Sequence, residues 1–148
     1  MGYYIEHCGG NITIKEEYFQ VAVDGVRALM TKVEEQGSGK VSNGEEVLSS
    51  HYSWIRTDSV INALEKNDLV AALAEWRYEF YTDKGTGALV FSYFRGEKWG
   101  DDAQLWEALA PAIDTGCHIE YRGEDGHHWR YLFTDGKVKE QNGTIIWE

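Results

Sequence analysis

The chain has 148 residues, 43% of them hydrophobic and 14% aromatic, with six Trp, nine Tyr, a single proline and a net charge of −11. That size and aromatic content specify one folded domain with a sizeable core and exclude a disordered chain. No window approaches the roughly eighteen apolar residues of a membrane span, and the acidic balance repels nucleic-acid phosphates while favouring basic surfaces.

GYYIEHC at the start reads as a short strand ended by Gly9-Gly10. It lacks the basic region and apolar run of a secretory leader. A cytoplasmic protein is therefore expected, with Cys8 and Cys117 as reduced thiols. TIKE at 13–16 has the spacing of a capping box, in which Thr13 and Glu16 satisfy each other's backbone N–H. The helix predicted after it runs to about Gln36, with Phe19, Ala22, Val23, Val26, Met30 and Val33 at helical spacing. Residues 37–53, rich in Gly and Ser, read as a mobile connection. Thr57 or Asp58 is expected to cap the next helical region, which Asn67-Asp68 splits in two, with Leu69, Val70 and Leu73 facing inward.

From Arg77 the apolar period changes to two. RYEFYTD and ALVFSYF, joined by KGTG, predict a hairpin. Asp101 is expected to cap a third helix carrying Leu105, Trp106, Leu109 and Ile113 inward, with Pro111 ending it. CHIEYRG, HWRYLF, KVKEQ and TIIWE then read as strands linked by EDG, TDG and NG turns. The whole predicts an α+β domain over residues 1–148: a mainly antiparallel twisted sheet with about three helices packed on one face.

The chemistry-bearing residues form no complete motif. His7-Cys8 and Cys117-His118 invite a metal reading, but adjacent strand residues point to opposite faces, so at most one of each pair can ligate. No metal or cofactor is expected. GEDGHH places Glu124, Asp125, His127 and His128 in and beside a hairpin turn, where acid–base chemistry or a ligand site is conceivable but the turn alone explains the residues. Phosphate-loop and nucleophile-elbow patterns are absent. YFRGEKWGDD at 93–102 and EYRGEDGHHW at 120–129 echo each other. If their strands are neighbours, Arg95 and Arg122 can pair with Glu97, Asp101 or Glu124 at one sheet edge. The candidate cleft is thus Arg95, Glu97, Asp101, Asp102, Arg122, Glu124, His127 and His128.

Acidic doublets supply a second candidate. Glu16-Glu17 and Asp101-Asp102 suit helix starts, where the macrodipole favours anions, and Glu124-Asp125 suits a turn. Glu34, Glu35, Glu45 and Glu46 have no such local reason, and Trp54 just beyond them is a candidate anchor, since Trp is enriched at binding hot spots. They mark a candidate surface for a basic protein partner, with no direct nucleic-acid or membrane contact. Exposed strand edges leave a homodimer open.

Residues 93–140, through GEKWGDD, ALAP and EYRGEDG followed by HWR, resemble a segment of small acidic proteins of phages and mobile elements. The resemblance carries no catalytic residues. It implies a non-enzymatic binding protein, an inhibitor of a host defence or nucleic-acid-handling protein. The alternative is a small enzyme or ligand-binding domain built on the carboxylate and histidine residues around 97–102 and 124–128.

Overall fold

The computed structural model describes residues 3–37, 41–42, 45–46, 55–96, 98–99, 102–144 and 147, with the side chains of 34–37, 41–42, 45–46 and 98 left aside. The chain is α+β. In order it forms β1 (Tyr3–Asn11), β2 (Thr13–Ile14), a 3-10 turn at Glu16–Tyr18, α1 (Phe19–Gly37), β3 (Val41–Ser42), β4 (Glu45–Glu46), α2 (Thr57–Glu65) and α3 (Leu69–Ala74). The hairpin β5 (Tyr78–Thr82) and β6 (Leu89–Phe94) follows. Then come β7 (Lys98–Trp99), α4 (Asp102–Leu109), a 3-10 turn at Ala110–Ala112, β8 (His118–Gly123), β9 (His128–Thr134) and β10 (Lys137–Asn142).

One expected sheet is in fact two. β10-β9-β8-β1-β7 make a five-stranded antiparallel sheet, β2-β6-β5 a three-stranded one, and β3 and β4 pair with each other. The chain changes sheets at Ile12, which is fully buried and whose carbonyl accepts from Phe91 N at 2.9 Å. The glycine pair therefore does not end the first strand. Gly10, at φ 105°, passes so close to the His118 carbonyl that any Cβ there would collide, and pairing with β8 continues to Asn11 after a bulge between His7 and Gly9.

Two predicted caps also fail. Thr13 is spent on the ladder with Val90, and the 3-10 turn starts after Lys15 without a side-chain cap. Arg56 precedes α2, again uncapped, and Asp58 instead accepts from Ser59 N and pairs with Arg56. The break at Asn67-Asp68 is as the sequence indicates: Asn67 takes φ 56° and Asp68 caps α3 by accepting from Ala71 N. Asp135-Gly136, both at positive φ, form the two-residue turn between β9 and β10. Thr144 and Trp147 of the TIIWE stretch are not in a strand, and Trp147 is 90% exposed.

Alternation divides the large sheet into two faces. Ile5, Ile119, Tyr121, Trp129, Tyr131 and Phe133 face the core, whereas Glu6, Glu120, Arg122, His128, Arg130 and Lys139 lie on the other side. α4 covers the apolar face, and α1 packs on α4 and α2. Among the described residues no helix is long and apolar enough to cross a membrane.

The α1–α4 approach depends on Gly25, where a Cβ would collide with the Ala108 carbonyl oxygen. Helix propensity alone predicts that Gly25→Ala stabilises by about 1 kcal/mol. Overpacking against backbone costs about 1–3 kcal/mol and should win. Urea denaturation of Gly25→Ala is expected to show a lowered midpoint, and a raised midpoint would show that the helices separate freely.

Candidate functional site

Among the described residues the predicted cleft comes together only in part: Arg122 and Glu124 line one small pocket beside Tyr4 and Glu6, which Arg95, Asp102, His127 and His128 do not line. Arg95, just after β6, pairs with Glu79 of β5 at 3.1 Å, while Arg122 pairs across β8 and β1 with Glu6. β6 and β8 belong to different sheets and do not pair, although the rings of Phe94 and Tyr121 meet edge-on between them at 6.4 Å; among the described residues Arg95 and Arg122 form no shared network. Both observed pairs are exposed, a setting in which an ion pair contributes about 0–1 kcal/mol. Glu124 ties the hairpin to β1: its N–H donates to the Tyr4 carbonyl, and its carboxylate accepts from Tyr4 N at 3.1 Å. His127 lies against Trp129 (5.4 Å, 16°), whereas His128 is on the opposite face, across from Arg122 in the ladder. They therefore cannot act on one ligand. Glu97, Asp101 and Trp54 fall outside the described residues, as do the side chains of Glu34, Glu35, Glu45 and Glu46.

The thiol–imidazole pairs are also dispersed. His7 stands opposite Tyr121 and His118 opposite Asn11; Cys8 is exposed and Cys117 buried. His7 packs its ring edge-on to Phe91 at 5.0 Å, and burial lowers its pKa. Among the described residues no group of three or more His, Cys, Asp or Glu side chains is placed to hold a metal ion.

Three other arrangements stand out among the described residues. The first is internal. Asp102, 2% exposed, is the one charged side chain buried among the described residues. Tyr78 donates its hydroxyl to Asp102 Oδ2 and lies 2.7 Å from the Tyr121 hydroxyl, which accepts from Trp106 Nε1 at 2.8 Å. With Trp106 a donor and Asp102 an acceptor, the protons run from Trp106 through Tyr121 and Tyr78 to the carboxylate. Burial holds both phenols well above the ordinary tyrosine pKa, so they remain neutral donors.

The second is a pocket of about 320 Å³ at the open end of the apolar face, lined by Tyr3, Trp99, Asp125, His127, Trp129, Tyr131 and Glu140. β7 brings Trp99 beside Tyr3 by pairing with β1, and alternation puts Trp129 and Tyr131 on one face of β9. Trp99 is perpendicular to Trp129 (87°, 5.2 Å) and parallel to Tyr131 (3°, 6.0 Å). Tyr3 donates to Asp125 and Tyr131 to Glu140 at 2.8 Å. The Tyr3 bond is the main reason that the Asp125 carboxyl titrates below its usual range and the Tyr3 phenol is raised to about 12. The third is a cavity of about 490 Å³ on the polar face, beside Glu120, His128, Arg130 and Gln141. Its walls carry both charge signs, and Arg130 Nε is already held by Gln141 at 2.7 Å.

Sequence reasoning missed Tyr3, Trp99, Trp129, Tyr131 and Glu140. The alternation of HWRYLF was the one signal for Trp129 and Tyr131 sharing a face; nothing local points to Trp99 or Tyr3. Family models, characterised proteins and solved structures give no match to the chain.

Tyr78→Phe strips a donor from a buried carboxylate and is expected to cost about 1.5–3 kcal/mol in chemical denaturation. A loss below a few tenths would mean that other partners or water satisfy Asp102 without Tyr78. The pH dependence follows from the same phenols. Their folded pKa lies above the unfolded value of about 10, so their contribution is intact below that pH. It declines above it by about 1.4 kcal/mol per pH unit for each phenol. Tyrosinate absorbance of the buried rings should therefore appear together with loss of helical circular dichroism, and its appearance in the still-folded protein would contradict this.

Proposed function

We propose that the chain is a non-enzymatic acidic binding protein that docks on a basic protein surface. The observation that carries this reading is where the charge sits. Among the residues whose side chains are described, every Asp and Glu except Asp102 is half-buried or exposed. Lys or Arg neutralises few of them: Lys15–Asp114, Arg56–Asp58, Arg95–Glu79 and Arg122–Glu6 are the described pairs. The acidity is also spread along the chain, with −3 over residues 1–36, −3 over 37–76 and −5 over 77–148. A folded body with such a field attracts and orients a basic groove and repels phosphates.

The resemblance of residues 93–140 to acidic proteins of phages and mobile elements supports a partner in host defence or nucleic-acid handling, where Lys- and Arg-lined grooves are common. In this reading Glu34, Glu35, Glu45, Glu46 and Trp54 form the contact surface, two of the glutamates at the end of α1 and two in β4. Among the described residues Arg95, Arg122, His127 and His128 do not line a single cleft, which supports the binding reading over the enzymatic alternative around 97–102 and 124–128.

The test is capture of partners from the natural host on the immobilised chain, followed by binding kinetics with the purified partner. Association is expected to slow at least tenfold between low salt and about 1 M salt, where the Debye length shrinks to about 3 Å. Replacing Glu34, Glu35, Glu45 and Glu46 by Gln should slow it in low salt. Affinity that ignores both salt and these substitutions would overturn the electrostatic reading.

A further inference from the structure

We propose that the pocket walled by Tyr3, Trp99, Trp129 and Tyr131 binds an alkylated ammonium group, a cation whose charge is spread over methyl or methylene carbons. Three observations converge. Trp99 stands at right angles to Trp129 and parallel to Tyr131, so ring surfaces border the space from different directions. Tyr3, tilted 37° to Trp129 at 6.3 Å, adds another. Aromatic faces carry the negative part of the ring quadrupole and attract a cation within about 6 Å of the centroid.

The second observation is the rim. Asp125 and Glu140 each accept a phenol hydroxyl, from Tyr3 and Tyr131, and neither is in an ion pair among the described residues. A phenol fixes a carboxylate in place without neutralising it. Among the described residues the pocket thus sets two carboxylates over an aromatic floor in which the His127 ring stacks on Trp129, an arrangement that disfavours an anion and gives a neutral hydrocarbon nothing that the rings do not already offer.

Size and hydration narrow the class further. The volume of about 320 Å³ lies at the small end of organic ligand sites, enough for a headgroup. A bare divalent ion such as Ca²⁺ needs about six to eight oxygen ligands, and no group of three or more ligating side chains exists among the described residues. An alkylated ammonium requires no such shell; ring faces and a carboxylate at a distance suffice. Its source is either a free choline-like molecule or a methylated lysine side chain of a protein. This inference does not rest on the basic partner proposed above, because a free ammonium compound alone tests it.

The experiment titrates the full chain with choline chloride, with a peptide bearing trimethyl-lysine, and with the neutral isostere of choline in which carbon replaces nitrogen. Tryptophan fluorescence and indole N–H chemical shifts report binding. Choline is expected to saturate with a dissociation constant of about 1 mM or tighter, from cation–π contacts in a partly desolvated site. The isostere should bind at least tenfold more weakly. A tighter peptide identifies a side-chain source; choline equal or tighter identifies a free one. Asp125→Asn with Glu140→Gln, both at exposed positions, should weaken choline at least tenfold while the unfolding midpoint stays within a small margin; Trp99→Leu should abolish the shift. Equal binding of choline and its isostere, no saturation by either cation, or a Trp99→Leu protein that is folded and still binds would overturn the proposal.

Discussion

A single run of hydrogen bonds, from the Trp106 indole through Tyr121 and Tyr78 to the Asp102 carboxylate, fixes how the layers of this protein meet. Its members come from α4, from β8 of the large sheet and from β5 of the small one. Buried carboxylates cost several kcal/mol unless their lone pairs are satisfied, and each orphaned hydroxyl or indole N–H adds about 1–3. Sliding one sheet against the other would orphan several of these groups at once. Apolar contacts such as Phe133 on Trp106 tolerate small shifts; directional bonds do not. The core is therefore held by hydrophobic burial and given one register by this polar thread.

The same thread reaches the pocket. The ring of Tyr121 contacts Trp99 edge-on at 5.1 Å and stacks on Trp129 at 5.4 Å. Because its hydroxyl is held from both sides, the ring cannot rotate out of plane without breaking two bonds. Trp99 and Trp129 are thus buttressed from beneath by a side chain whose position is set in the core. Aromatic walls built this way keep their angles when nothing fills the space between them, which is the preorganisation that a weakly attractive cation–π site requires.

Local patterns disclosed the elements more readily than their assembly. The apolar stripe of α1, the period of two in β5, β6, β8 and β9, and the Asp-Gly turn after β9 are each written within a few neighbouring residues. The capping assignment at Thr13 failed because that residue serves a ladder with Val90, a partner far along the chain. The single-sheet expectation failed at Ile12, where a glycine bend and a buried side chain redirect the strand, features that no periodicity registers. The two Arg-Gly-Glu stretches looked alike because strand ends favour similar residues; their sheets are different. The opposed faces of His127 and His128, which the candidate cleft had put together, follow from strand alternation alone. The pocket was not legible, since Tyr3, Trp99 and Trp129 meet only through the order of strands in the sheet.

One chemical device recurs at three depths of this molecule. Tyr78 on Asp102, Tyr131 on Glu140 and Tyr3 on Asp125 each pair a phenol donor with a carboxylate. A lysine or arginine in the phenol's place would hold the carboxylate as well but cancel its charge. Tyrosine, neutral across the physiological range, supplies geometry and leaves the anion. In the core that choice avoids burying a second ion and its desolvation cost. At the pocket rim it leaves the negative potential in force at a place where ring faces add to it. Rich in tyrosine and poor in compensating cations, the sequence thus produces a rigid fold and an uncancelled negative field by the same substitution of hydroxyl for ammonium. The acidity that first distinguishes the chain is on this account preserved in part by the fold, because Asp102, Glu140 and Asp125 are held by phenols that do not neutralise them.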